Sequence, residues 1–209
     1  MNTMGHPSLH SVSGANPLSY SQNKAIPRKV YNKNYPMREP TGFYCSSCGE
    51  WHDELPLNYG ADLPDIFYDI PEEERDQRIE ANDDFCIVDD QHYFVRGNIE
   101  IPIKDTGQTF GWGVWVSLSE KNFNRSTELL DTEGRESEPP YFGWLSTSLP
   151  YPESTLNLKT LVHTQPVGTR PLVELEPTSH PLSLEQRRGI TMQRVQEIAE
   201  HILHGQNPE

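Results

Sequence analysis

The chain is poor in cysteine, in positive charge and in long apolar runs, and each shortage removes a class of protein. Its densest apolar stretch, Trp112 to Leu118, is far below the 18 or more uncharged apolar residues that a membrane-spanning helix requires, so such a span is excluded. Residues 1 to 20 contain no Lys or Arg and no continuous apolar block, which leaves out both halves of a secretory signal and makes the cytoplasm the expected compartment. Three cysteines cannot pair completely, and a reducing compartment disfavours structural disulfides. With 17 basic against 31 acidic residues the net charge is -14, a field that repels nucleic-acid phosphates and draws basic protein partners. Phosphate-binding loops, dinucleotide fingerprints, hydrolase elbows, zinc-protease helices and EF-hand loops all lack a matching motif.

What is present divides the chain in two. Residues 1–40 carry a charge of +4, leaving -18 for residues 41–209. Leu, Ile, Val and Phe supply 5 of the first 40 residues but 41 of the following 169, so the first segment is expected to be a disordered basic tail and the second a single acidic domain. Met37, just before this change of composition, reads as an alternative start.

Within the domain, Pro71 followed by acidic residues predicts a short helix running to about Ala81. Alternation over Tyr93 to Ile103 and Trp112 to Leu118 predicts two half-buried strands, and Ser119 is placed to cap a helix reaching Leu130. Further strands are expected at 141–147, around 156–162 and at 170–176. Met192, Val195, Ile198, Ala199, Ile202 and Leu203 fall at helical spacing, with Ser183 and Gln186 as a capping box and Gly205 as a stop. The expected class is α+β, a mainly antiparallel sheet covered by a C-terminal amphipathic helix, with a Cys-rich, zinc-knuckle-like turn at its start.

That turn is Cys45-Ser46-Ser47-Cys48-Gly49-Glu50-Trp51-His52. Two thiolates separated by two residues can grip one ion from a tight turn, Gly49 lets the backbone fold back, and His52 is near enough to add a third ligand. Cys86 is the only other thiol, so the expected zinc shell is Cys45, Cys48, His52 and Cys86. A closed shell of this kind serves structure. A redox pair would want a βαβ setting, which the pattern lacks.

His163 shares a strand face with Leu161, opposite Leu172 and diagonal to Glu174, and with Arg170 nearby this polar cluster could do acid-base work; a partly buried histidine with one hydrogen bond is the blander reading. His201 and His204 sit three apart with Glu197 nearby, a ligand-like spacing, yet the last helical turns favour charged histidines without any ligand. Trp112, Trp115, Tyr141, Phe142 and Trp144 form an aromatic set that reads as core.

Phe43-Tyr44-Cys45-Ser46-Ser47-Cys48-Gly49, then Ile70-Pro71-Glu72-Glu73-Glu74-Arg75, then Gly111 to Ser119, then Pro139-Pro140-Tyr141-Phe142-Gly143-Trp144-Leu145 succeed one another along the chain. With Glu174-Leu175-Glu176-Pro177-Thr178 and Arg194-Val195-Gln196-Glu197-Ile198-Ala199 they resemble the bacterial family called domain of unknown function 2199, from about residue 41 to 205. The resemblance implies a bacterial, cytoplasmic protein with a cysteine where Cys86 stands, and it carries no catalytic residues. The expected function is a binding or regulatory module with structural zinc. The rivals are an enzyme built around His163, Arg170 and Glu174, and an acidic antagonist of a basic partner.

Overall fold

The computed structural model describes residues 9–11 and 42–205. In the segment expected to be a disordered tail, β1 (Leu9–Ser11) forms a short strand, while the rest of that segment, Met37 included, lies outside the described residues. A small hairpin, β2 (Phe43–Tyr44) and β3 (Trp51–His52), precedes β4 (Asn58–Ala61), which pairs antiparallel with β1. Helix α1 (Glu72–Arg78) is shorter than expected, because Ile79 leaves helical geometry to pair with Val88. This makes β5 (Ile79–Ala81) and β6 (Phe85–Val88) an antiparallel pair.

The two longest strands come next, β7 (His92–Pro102) and β8 (Thr109–Leu118), paired antiparallel from Tyr93 opposite Leu118 to Pro102 opposite Thr109. Val95, Ile99 and Ile101 of β7 and Trp112, Val114 and Val116 of β8 are buried in one core, as alternation dictates. Each such aliphatic side chain taken from water contributes roughly 1.5–3 kcal/mol. Ser119 caps α2 (Glu120–Glu128), accepting from the Asn122 N–H. Then come β9 (Tyr141–Leu145), β10 (Lys159–His163) and β11 (Leu172–Leu175), joined as antiparallel neighbours.

The sheet is not simply antiparallel. It closes on itself: β9 pairs antiparallel with the end of β8, and β11 lies parallel against the middle of β7, so β7 to β11 form a five-stranded mixed barrel. A second parallel pair joins β4 to β8. Each long strand divides its outer edge between two partners, β8 between β4 and β9, and β7 between β6 and β11.

The last helical stretch is two helices, α3 (Pro181–Arg188) and α4 (Met192–His204), separated at Gly189, whose φ of +71° places it in the left-handed region. His180 and Thr191 cap them. Ser183 and Gln186 form no capping box. The Ser183 hydroxyl donates to the Glu176 carbonyl, and the Gln186 amide accepts from the Leu175 N–H and donates to the Val173 carbonyl, tying α3 to the edge of β11. Val195, Ile198 and Ala199 of α4 pack into the barrel core beside Phe43 and Cys45. Among the described residues no helix is long and apolar enough to cross a membrane.

Candidate metal centre

The β2–β3 hairpin is built to turn three side chains to one side. Cys45 donates its N–H to the Glu50 carbonyl at 2.9 Å and accepts from the Gly49 N–H at 2.9 Å, closing the turn. Gly49, at φ +73°, occupies a conformation costly for residues with a Cβ. Phe43 stacks on the His52 ring, centroids 5.1 Å apart, and fixes its plane. Cys48 Sγ then lies 3.4 Å from His52 Nε2.

Helix α4 meets this hairpin with residues spaced four apart along one face. Gln196 donates to the Tyr44 carbonyl at 2.9 Å. Glu200 accepts from the Ser46 N–H at 2.8 Å, from the Ser46 hydroxyl, and from Gln196 at 2.8 Å. One turn further, His204 brings its ring to 5.8 Å from that of His52. Cys45, Cys48, His52 and His204 thereby place four ligand atoms within 4.8 Å of one another. A tetrahedral zinc with sulfur at about 2.3 Å and nitrogen at about 2.0–2.1 Å sets its ligand atoms roughly 3.3–3.8 Å apart, so the group encloses an ion once its widest pairs draw in by at most about 1–1.5 Å. His204 Nε2 is shielded from solvent and has no hydrogen-bond partner among the described residues. Buried nitrogens are rarely left so, and a metal bond would satisfy this one.

Electrostatics prepare the pair unequally. Burial opposes ionisation of Cys45, yet the N–H groups of Cys48 and Ser47 and the Cys48 thiol draw it below the usual thiol value. The Glu50 N–H favours a Cys48 thiolate, but burial and the adjacent Cys45 push that thiol upward. Hydrogen bonds from Gln196 and Ser46 hold Glu200 below the ordinary carboxylate range.

Cys86, the expected fourth ligand, is not in this group. It lies on β6, fully buried with Ala61, Ile70, Val88, Phe94 and Trp115 in a second apolar cluster, and burial pushes its thiol up to about 11. Strand alternation turns it into that cluster. His204 stands in the expected place of Cys86, whereas His201 is exposed.

The model of a family described as an uncharacterized protein conserved in bacteria (DUF2199) matches residues 44–190. The chain belongs to this family. The matched region takes in Cys45, Cys48, His52 and Cys86 and ends before α4, so His204 lies outside it. No curated protein and no solved structure matches the chain.

The other candidate cluster is only half assembled. The β10–β11 register sets His163 opposite Leu172, with Glu174 diagonal, and His163 Nε2 meets the Glu174 carboxylate at 2.8 Å on an accessible face. Arg170 is turned elsewhere, its Nε donating to Asp84 at 2.6 Å. His163 and Glu174 line a cavity of about 350 Å³ that does not include Arg170. Of the aromatic set, Trp112, Trp115 and Tyr141 are core, while Phe142 and Trp144 face outward, 46% and 39% exposed.

Proposed function

We propose that this family member is a binding module in which zinc, held by Cys45, Cys48, His52 and His204, fastens the first hairpin to the last helix. The observation that carries the reading is the convergence of two thiols and two imidazoles, with one imidazole nitrogen buried and otherwise unpartnered. Two thiolates with two neutral imidazoles balance the charge of a divalent ion, and the mixed sulfur and nitrogen set suits zinc. Four protein ligands leave no position for a reactive water, which makes the ion's work structural. In small peptides structural zinc contributes an apparent ~10–16 kcal/mol, as much as the whole stability of many domains. Here the barrel has a core of its own, so loss of the ion should lower the melting temperature and free the hairpin without unfolding the chain.

Elemental analysis of protein purified without added metal tests the reading. About one zinc per chain is expected, lost in Cys45→Ser and His204→Ala and kept in Cys86→Ala. A metal-free wild type that is as stable with zinc as without it would overturn the proposal.

A further inference from the structure

A trough on the outer face of the β7–β8 hairpin shares no residue with the metal centre. The inward alternation of β7 leaves Arg96, Asn98 and Glu100 on the opposite face, where the register sets Trp115, Gly113 and Gly111 of β8 beside them in turn. Asn58 and Gly60 of β4 pair with Gly111 and Gly113 from the other side. The floor is therefore backbone at Gly113 and Gly60, with the Asn58 amide lying over Gly111. Glycine inside a strand weakens it and marks a place where a ligand or another chain approaches the main chain. A Cβ at Gly111 would lie 2.3 Å from Asn58 Oδ1, and one at Gly113 would lie 3.2 Å from the Gly60 Cα. The trough encloses about 310 Å³. Arg96 and Arg170 line both it and a neighbouring cavity of about 390 Å³, while Asn98 and Glu100 continue into the cavity that holds His163 and Glu174.

Arg170 gives its Nε to the Asp84 carboxylate at 2.6 Å and an Nη to the Asp83 carbonyl at 3.3 Å, whereas the other polar side chains here do little for the fold. Those of Asn58, Asn98 and Glu100 make no hydrogen bond or ion pair among the described residues. Arg96 reaches only the Asp83 carbonyl, at 3.5 Å, its Nε is shielded from solvent without a partner, and its guanidinium lies 5.9 Å from the Trp115 ring. Arg135 shows the contrast, since its guanidinium is committed to the carbonyls of Leu130, Gln165, Pro166 and Thr169. Burial and the nearby charge of Arg170 both work against the Arg96 cation, with Asp62, Asp84 and Asp83 opposing them.

We propose that the trough binds a small ligand carrying an oxyanion, as a phosphate ester or a carboxylate, on a body with hydroxyl or amine donors. The oxyanion lies against the Arg96 fork, with the Arg170 N–H groups that Asp84 and Asp83 leave over completing its shell. The body crosses Gly111 and Gly113 toward Asn98 and Glu100, which accept its donors. At the rise of a strand, Arg96 and Glu100 are about 13 Å apart, a span suited to a small metabolite. The site gives the module reading its ligand; because the two sites share no residue, zinc content and ligand binding fail separately.

Calorimetric titration of the full chain at low salt with ribose 5-phosphate, inorganic phosphate and succinate tests this. Ribose 5-phosphate or succinate should bind more tightly than inorganic phosphate, and whichever is the tighter identifies the oxyanion. Arg96→Gln should weaken that binding about tenfold or more, the loss of one charge-assisted hydrogen bond, and Arg96→Lys should restore part of it. Gly113→Val, which fills the floor, should abolish it, and Lys121→Gln, which removes a distant positive charge, should leave it unchanged. Absence of heat with all three probes, or binding indifferent to Arg96→Gln and Gly113→Val, overturns the proposal.

Discussion

The Glu200 carboxylate holds Ser46 twice, by its backbone N–H and by its hydroxyl, across 154 residues of sequence. Ser46 stands between the two cysteines of the turn, so the grip sets where both thiols point. With Gln196 on Tyr44 and His204 at the metal group, α4 addresses the hairpin through three side chains on successive turns.

This contact gives stability a defined acid limb. Gln196 and Ser46 hold Glu200 below its ordinary value of 4.5, so its contribution is fully present above about that pH and is lost as pH falls through the depressed value. Melting temperature measured from pH 7 to pH 3 should fall more steeply in the wild type than in Glu200→Gln. The variant should already be less stable at neutral pH, since it keeps the shape but loses the charge-assisted bonds.

Thiol chemistry should separate Cys86 from Cys48. Cys86 is buried and its thiol is pushed up to about 11, so iodoacetamide should leave it unmodified in the native protein. Cys48 is exposed and should be alkylated once a chelator has been added, and more slowly before. Peptide mass spectrometry of the timed reaction reads both outcomes.

Gly97 lies where β11 crosses β7, and a Cβ there would come within 2.7 Å of Val173 Cγ2 and 2.9 Å of the Pro171 carbonyl oxygen. Gly97→Ala should therefore push the parallel pair apart and cost about 1–3 kcal/mol, the usual penalty for overpacking a tight core. Urea unfolding monitored by tryptophan fluorescence would register it as a lower midpoint.

Arg135 ties the loop after α2 to the β10–β11 connection through four carbonyls. Replacing it with Met should destabilise the protein by roughly 2–4 kcal/mol, because the carbonyls lose charged donors while partly buried. Arg135→Lys should recover little, as an ammonium cannot span them. Denaturant midpoints of the two variants give the comparison.

The strands from Tyr93 to Leu118 and the Ser119 cap were legible because alternation and capping act between near neighbours. The closure of the barrel was not. Asn98 meets Leu172 in parallel only once the intervening strands are in place, and local pattern carries no trace of it. The break at Gly189 was hidden for a related reason: apolar spacing looks much the same in one helix or two, and the Pro102 carbonyl that a Cβ at Gly189 would strike comes from β7. At the metal group the local triad Cys45, Cys48 and His52 stood out by spacing. His204 shares no spacing with it, and its buried, unpartnered nitrogen becomes visible only in three dimensions.

A group whose members run from residue 45 to residue 204 orders events during synthesis. The hairpin leaves the ribosome early with its two thiols and His52, and must wait for almost the entire domain before α4 arrives to enclose it. A nascent or truncated chain ending before α4 leaves Cys45 without the helix it packs against, open to reagents and other metal binders, whereas the finished chain buries it. Completion of the last helix is thus recorded chemically at the first hairpin, in the accessibility of the Cys45 thiol.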